Sequence, residues 1–406
     1  MNNQSMQVYD FTIIGAGSSG LWLANALNKH GILKNKTLVI VENDQQKEND
    51  RTWCYWSKTA LAPIEMISKK WTSISQKSIS SNRSNLTPYS YYHVRSTDFY
   101  QIIKSSLKNN PNIFWIKETV TNVLEKENQV KVDTASQSWL SDKVFLSALP
   151  NTESEINNFE NVKNFLHQAK QKKELFMWQS FAGWRIKTEK PVFNKEKLTL
   201  MNFDIDQNQY TQFLYELPFS ENEALIEMTR FAKDKLSKSE AEKTIDSFLK
   251  SRNIKYEILE EETGVIPMTT AFDNHRKFLP SEQKLIYIGT LGGAIKPTSG
   301  YGFKRMHDYA EALAIAIKKN EHKATPIPTM YRKYRFRVYD SLLLSIINDK
   351  PKRGKEVFEK LFSRQPIQRI LKFLDEETSI WEELLIFSKL PLALFLNALT
   401  KYLFKR

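Results

Sequence analysis

The octapeptide ALIEMTRF (224–231) sets one carboxylate, Glu227, in a run of apolar residues with strand character. Such a carboxyl group has two readings. It is a solvated residue on the polar face of a sheet, or it is an acid placed in an apolar pocket. The second has chemical consequences, because burial disfavours the charged form and leaves a group that holds its proton at neutral pH. Glu is rarely fully buried, so the octapeptide alone favours the solvated reading.

A second set of residues could bind phosphate. Gly15-Ala16-Gly17-Ser18-Ser19-Gly20 follows the apolar run 8–14, and a helical pattern begins at about Ser18, with Leu21, Ala24 and Leu27 on one face. Residues 37–41 read as the next strand, and Glu42 ends it. Strand, G-x-G-x-x-G turn, helix, strand and acid form a dinucleotide-binding pattern. In that pattern Gly15 makes the turn, Gly17 admits the pyrophosphate, Gly20 lets helix and strand approach, and Glu42 accepts from a ribose. The helix start offers N–H groups and partial positive charge to the phosphates. The pattern does not separate FAD from NAD.

A late segment repeats the design. Strand 285–288 leads into GTLGGAIKPTSGYGF (289–303), and a helix runs from about Gly302 to Lys318. Gly289, Gly292, Pro297, Gly300 and Gly302 are its candidate contacts to a flavin. A helix start beside the flavin ring would stabilise the negative charge of the reduced form. Many flavoproteins of the glutathione-reductase type have Gly-Asp where this chain has Gly289-Thr290. That departure argues against a routine hydroxylase.

These residues need a scaffold. A chain of 406 residues can form two or three domains. The segments 177–188, 198–203, 212–216 and 224–231 read as an antiparallel sheet inserted in an α/β unit. A helix over 240–250 follows, with Ser239 and Glu242 spaced as a capping box, and 264–268 reads as a short extended return. Residues 325–406 read as helical throughout. The stretch 384–406 is apolar with scattered basic residues and is interrupted by Pro391. It reads either as a packed C-terminal helix or as an interfacial one, with Lys401, Lys405 and Arg406 at lipid head groups.

Composition excludes several classes. The net charge of +13 favours an anionic partner, but no zinc-finger spacing, RRM signature or basic arm supports nucleic acid. Six histidines without an i, i+4 pair give no expectation of a metal site. The single cysteine, Cys54, rules out an intrachain disulfide, fits a reducing compartment and reads as a small buried residue. The N-terminal residues do not read as a signal peptide, and no run of about 18 apolar residues suggests a spanning helix.

Several segments, in order and over nearly the whole chain, resemble the flavin-containing lycopene β-cyclases of carotenoid-making bacteria. They are DFTIIGAGSSGLWLANAL, NDRTWCYW (49–56), WQSFAGWRI (178–186), LMNFDIDQNQYTQFLYELPFS (200–220), ALIEMTRF, GVIPM, IGTLGGAIKPTSGYGFKR (288–305) and PIQRILKFLDEETS (366–379). The resemblance implies ring closure at the linear ends of lycopene or a related acyclic carotene, without net redox change. It implies reduced FAD, with NAD(P)H as electron source. It also implies an essential glutamate at the position of Glu227, which reverses the balance between the two readings of that residue. Arg51 would reach the FAD pyrophosphate, the alternative being a surface charge. Trp53, Tyr55 and Trp56 would line the substrate pocket, the alternative being core packing.

The expected fold is therefore α/β: an FAD-binding Rossmann-like domain of the glutathione-reductase type, an inserted antiparallel sheet and a helical C-terminal region. The expected boundaries are 1–60, 96–172 and 258–325 for the FAD domain, 61–95 and 173–257 for the sheet domain, and 326–406 for the helices. The expected location is cytoplasmic, at the surface of the inner membrane. Two rivals share the motifs: a flavin-dependent isoprenoid reductase, and a non-enzymatic isoprenoid carrier.

Overall fold

The apolar run Val8–Ile14 forms β1, and its last four residues are buried. The glycine turn follows, and α1 (Ser18–Lys29) returns over β1 with Leu21, Ala24 and Leu27 buried. After β2 (Leu38–Val41) come β3 (Thr52–Ser57), β4 (Ile67–Trp71), β5 (Ser73–Ile74), β6 (Ser90–Arg95) and α2 (Ser96–Leu107). Next are β7 (Ile113–Ile116), β8 (Val120–Glu125), β9 (Val130–Thr134) and β10 (Ser138–Leu146). The computed structural model describes residues 6–43, 51–75, 84–147, 174–273, 276–320 and 326–404. Asn49, Asp50, Lys405 and Arg406, which figure in the expectations above, lie outside the described residues.

The middle of the chain forms β11 (Phe176–Thr188), β12 (Lys197–Asn202), β13 (Thr211–Pro218), β14 (Glu223–Ala232), α3 (Lys238–Ser251) and β15 (Tyr256–Thr269). Then come β16 (Phe278–Leu279), β17 (Leu285–Tyr287), α4 (Phe303–Asn320) and β18 (Ile327–Pro328). The chain closes with α5 (Tyr334–Asp349), α6 (Lys352–Arg364), α7 (Ile367–Leu374), α8 (Ile380–Phe387) and α9 (Leu392–Phe404).

Four sheets organise these elements. The first has the order β7-β2-β1-β10-β9-β8. Its core is parallel, and β10 pairs along its first half with antiparallel β9 and along its last residues with parallel β17. Thus β17, which leads into the second glycine segment, lies two strands from β1. The second sheet has the order β15-β11-β14-β13-β12-β5, and the third β3-β6-β4; β16 and β18 form a short ribbon.

The structure departs from the sequence expectations in three places. The segment 264–268 is only the end of a 14-residue strand, β15. Its first half, YEILEEET, is largely exposed at the sheet edge, so it lacks the apolar alternation by which strands are read. Helix α3 is capped by Ser237, whose side chain accepts from the Glu240 N–H, and not by Ser239. The S-x-x-E spacing occurs twice in succession, and the earlier start lets Glu240 pair with the buried Arg230. Lastly, the C-terminal region includes β18 as well as helices.

Period-two alternation makes β14 a divider. Ala224, Ile226 and Met228 pack with Ile245, Phe248 and Leu249 of α3. Leu225 and Phe231 face the other way, into a core shared with Trp56, Tyr91, Phe213 and the C-terminal helices. Glu227 and Thr229 share the parity of this second face.

Candidate active site

The two glycine segments meet. Gly15 has φ +96° and donates its N–H to the Val41 carbonyl at 2.8 Å. A Cβ at Gly20 would lie 2.1 Å from the Gly15 carbonyl oxygen, so only glycine lets α1 sit this close to the turn. At Gly289 a Cβ would lie 3.0 Å from the Ser19 Cβ, and the Ser18 hydroxyl donates to the Met306 Sδ at 3.1 Å. The late segment therefore packs against the start of α1.

The surroundings of this junction fit an anionic dinucleotide. A Cβ at Gly17 would meet nothing within 4 Å, so the space before α1 is open. No side chain caps that helix and no acid stands in its first turn. Glu42 Oε2 accepts from the Ala16 N–H at 2.7 Å, which places this acid against the turn. In the late loop, Gly300 (φ +74°) lies against Gln179, and the buried Gln179 Oε1 and Ser299 Oγ have no hydrogen-bond partner. Pro297 is buried, and Gly302 lies against Ile295. Gly292 closes on the Tyr287 carbonyl, where a Cβ would stand at 2.6 Å. Arg51 is exposed, and its main chain exchanges hydrogen bonds with Ser96.

Glu227 stands apart from the glycine junction, on the inner face of β14. It pairs in register with Gly183 of β11 on one side and Tyr215 of β13 on the other. Gly183 in turn pairs with Glu262 of β15. With no side chain on the intervening residue, the two carboxyl groups face each other across the central strand, close enough that each shifts the other's hold on its proton. A Cβ at Gly183 would press on the Glu227 Cβ at 3.1 Å. Glu227 also accepts from the Thr229 hydroxyl at 2.9 Å, and Glu262 Oε2 from the Thr52 hydroxyl at 2.5 Å.

Burial, above all, holds the Glu227 carboxyl well above the ordinary range; the neighbouring Glu262 adds to the rise, and Thr229 offsets a little. The site therefore favours the neutral, protonated form of Glu227.

The RTWCYW segment of β3 is split by strand parity. Thr52, Cys54 and Trp56 look toward the acid: Thr52 bonds Glu262, the Cys54 thiol lies beside Tyr91 and Glu227, and Trp56 meets Tyr301 edge-on at 4.5 Å. Trp53 and Tyr55 look the other way and pack on Phe303 and Tyr92. Of the three aromatic residues, Trp56 therefore faces the large cavity, and the other two build the core of the first sheet. Tyr301 bonds Tyr91 at 2.7 Å and lies beside Tyr215, and both Tyr215 and Tyr301 stand near Glu227.

A cavity of about 250 Å³ begins here. Trp56, Tyr215 and Tyr301 form one part of its wall. The rest is almost wholly apolar and continues through Phe213, Phe231 and Phe358 to Phe387, Leu392 and Leu399 of the last helices.

Between cavity and glycine loop lies a buried charge network. Lys296 reaches Asp340 at 3.0 Å and Glu376 at 3.3 Å. Arg332 binds Asp273 at 2.7 Å and also Asp340 and Glu376. Burial pushes Glu376 up, but Lys296, Arg332 and Arg305 outweigh it and hold it at about 2. The network joins the KPTSGY loop to the LDEETS segment, two motifs some 80 residues apart. Removing one partner strands buried charge, so Lys296→Met is expected to cost about 3–5 kcal/mol, read as a lower urea midpoint. Among the described residues no cluster of His, Cys, Asp and Glu could hold a metal ion.

Sequence reasoning missed Glu262 and the network. Three successive glutamates, 260–262, look alike in sequence, and only strand register singles out the last. Comparison with solved structures defines the fold class, a mixed α/β fold shared with proteins of which one is complexed with FAD. A geranylgeranyl bacteriochlorophyll reductase-like protein from Thermoplasma acidophilum superposes with a TM-score of 0.56 at 13% identity, over 96% of this chain and 98% of its own. The p-nitrophenol 4-monooxygenase PnpA from Pseudomonas putida gives 0.54 at 12% identity, over 98% of each. A variant of HpxO from Klebsiella pneumoniae, complexed with FAD, gives 0.54 at 12%, over 91% of this chain and 98% of its own.

Within that class, the profile of the family described as "Lycopene cyclase protein" matches residues 10–400, and the chain belongs to the lycopene cyclase family. Among curated relatives, a chloroplastic neoxanthin synthase from Solanum lycopersicum is 23% identical over 331 residues, 78% of this chain and 61% of that protein. A chromoplastic capsanthin/capsorubin synthase from Capsicum annuum is 23% identical over 325 residues, 76% and 60% respectively. The chain thus spans about three fifths of the length of these relatives.

Proposed function

We propose that this protein is a lycopene β-cyclase, closing the linear ends of lycopene into β-ionone rings by acid catalysis. The observation that carries the reading is Glu227, its carboxyl held well above the ordinary range, paired in register with Tyr215 of an aromatic-walled, apolar cavity in a chain of this family. Glu227 holds its proton at the carboxyl group and delivers it to the terminal double bond of the substrate. An alkene is a very weak base, so only an acid kept neutral by its surroundings is still loaded when the substrate arrives. The rings of Trp56, Tyr215 and Tyr301 face the cation with their π-electrons. The apolar wall excludes water, which would otherwise trap the cation as an alcohol. Loss of a proton after ring closure completes an isomerisation in which atoms and electrons balance without external reductant.

The residues Gly15, Gly17, Gly20 and Glu42, with the loop from Gly289 to Gly302 and Pro297 within it, would hold FAD, and the exposed Arg51 would reach its pyrophosphate. When bound, reduced FAD supplies electron density close to the cation, with NAD(P)H as the source of its electrons. The test is purified protein with flavin and lycopene in vesicles under anaerobic conditions. The reading expects cyclic carotene with NAD(P)H consumed far below one equivalent per ring. Stoichiometric consumption with a hydrogenated product would make the protein an isoprenoid reductase, and a colourless protein that binds carotene unchanged would make it a carrier.

The same reading places the enzyme at a membrane, on the cytoplasmic side where NAD(P)H is found. Helices α8 and α9 meet at a bend of 116°, and no single described helix is long and apolar enough to cross a bilayer. Their outer surfaces leave Trp381 77% and Phe404 86% exposed, with Ile380, Leu384, Leu392 and Leu403 more than half exposed. Because Leu392 and Leu396 also line the cavity, lipid on this face would be continuous with the substrate site. Trp381→Asp combined with Phe404→Asp is expected to weaken binding to anionic vesicles tenfold or more in a flotation assay, since burying one such side chain is worth about 1.5–3 kcal/mol.

A further inference from the structure

We propose that Glu262 is the second half of the acid: a positioning residue that holds the proton on Glu227 by accepting it in a hydrogen bond across Gly183. The inference rests on the cyclase reading for its purpose, though not for its geometry. Three strands supply the arrangement. Glu227 on β14, Gly183 on β11 and Glu262 on β15 stand in one row across the sheet. Glycine in the middle leaves the gap that a hydrogen bond between the flanking carboxyl groups needs.

The bonding capacities assign the proton. Glu262 Oε2 already accepts from the Thr52 hydroxyl. Glu262 Oε1 is buried and has no hydrogen-bond partner. A protonated Glu227 is the donor it lacks, so Glu227 carries the hydrogen and Glu262 the charge. Two carboxylates this close cannot both ionise cheaply, so the pair keeps one proton well past the range in which a lone carboxyl loses it.

The other groups facing the pair leave that assignment intact. They are Cys54 of β3, Tyr215 of β13 and Tyr301 of the late glycine loop, with Tyr91 of β6 behind Tyr301 and Glu260 further along β15. Burial pushes Cys54, Tyr91, Tyr215 and Tyr301 upward, so all four stay neutral through the physiological range. The Glu260 charge is met by Arg95 at 2.7 Å and Arg185 at 3.7 Å. His93, held at about 3 by burial and by those two arginines, is neutral as well. Among the described residues no cation figures in the surroundings that set Glu227.

The test is the pH profile of kcat for the holoenzyme with lycopene in vesicles, in wild type, Glu262→Gln and Thr52→Val. Removing the Glu262 charge makes Glu227 easier to ionise, so the alkaline limb of Glu262→Gln moves about one pH unit or more toward acid. Removing the Thr52 donor destabilises the charged pair, so the limb of Thr52→Val moves toward alkali. Thr52→Val preserves shape and keeps the question open to test should Glu262→Gln not fold. A uniform fall in rate with unmoved limbs in both variants would overturn the proposal and leave Glu262 a packing residue. Infrared titration of the neutral carboxyl band of the same holoenzymes needs no substrate. The band persists at neutral pH in wild type, disappears in Glu227→Gln, and titrates at lower pH in Glu262→Gln. A protein with that band but no cyclisation would sink the cyclase reading alone.

Discussion

Glu227→Gln is expected to fold, to bind flavin and to cyclise lycopene about 10²–10⁴-fold more slowly than wild type, the usual worth of a positioned general acid. Glutamine matches the carboxyl in shape and can still bond Thr229 and Glu262, so packing gives no reason for collapse. It cannot supply the proton.

The same substitution has a stability signature with a definite sign. The folded state holds the Glu227 carboxyl well above its ordinary range. Between the ordinary carboxyl pKa and the folded one, the native protein binds more protons than the unfolded chain. The stability that the protonated carboxyl contributes is thus fully present in acid and is lost as pH rises through the folded value. Glutamine has no such loss. The difference in melting temperature, variant minus wild type, is therefore expected to grow with pH across that window. A difference independent of pH would mean that Glu227 is an ordinary solvated carboxylate.

The second large effect concerns the glycine turn, where two substitutions should separate. Gly20→Ala drives a Cβ to 2.1 Å from the Gly15 carbonyl, and neither β1 nor α1 can retreat without opening the core between them. Loss of bound flavin and a destabilisation of about 1–3 kcal/mol are expected, as for overpacking in a close-packed interior. Gly17→Ala meets no protein atom within 4 Å. Its urea midpoint should match wild type while its flavin content, read from visible absorbance after gel filtration, falls. Equal flavin content in Gly17→Ala and wild type would mean that no phosphate approaches the start of α1.

How much of this was legible in the sequence depended on range. The β1–turn–α1–β2 unit is written in neighbouring residues: a buried apolar run, three glycines at fixed spacing and a 3.6-residue period. The four strands β11 to β14 of the second sheet were equally local, because their apolar runs are bounded by turn residues. The first half of β15 was not, since an edge strand with one solvated face carries charges instead of alternation. Glu227 could be singled out only through the family resemblance; its own octapeptide argued for solvent. What makes it acidic, the row Glu227–Gly183–Glu262, joins residues 44 and 79 positions from Gly183, and a slip of one residue in register would have sent these side chains to the opposite face. The Lys296–Glu376 contact joins two recognisable motifs, yet neither motif names the other. The cavity is a property of packing, and composition only hinted at it through abundant aromatic residues.

The most direct test of the central claim is the pigment profile of lycopene-accumulating cells that express the wild type beside Glu227→Gln, with folding and flavin content matched. The account predicts ring-closed carotene from the wild type and unchanged lycopene from the variant. Ring closure by both, or by neither despite well-folded, flavin-loaded protein, would contradict it.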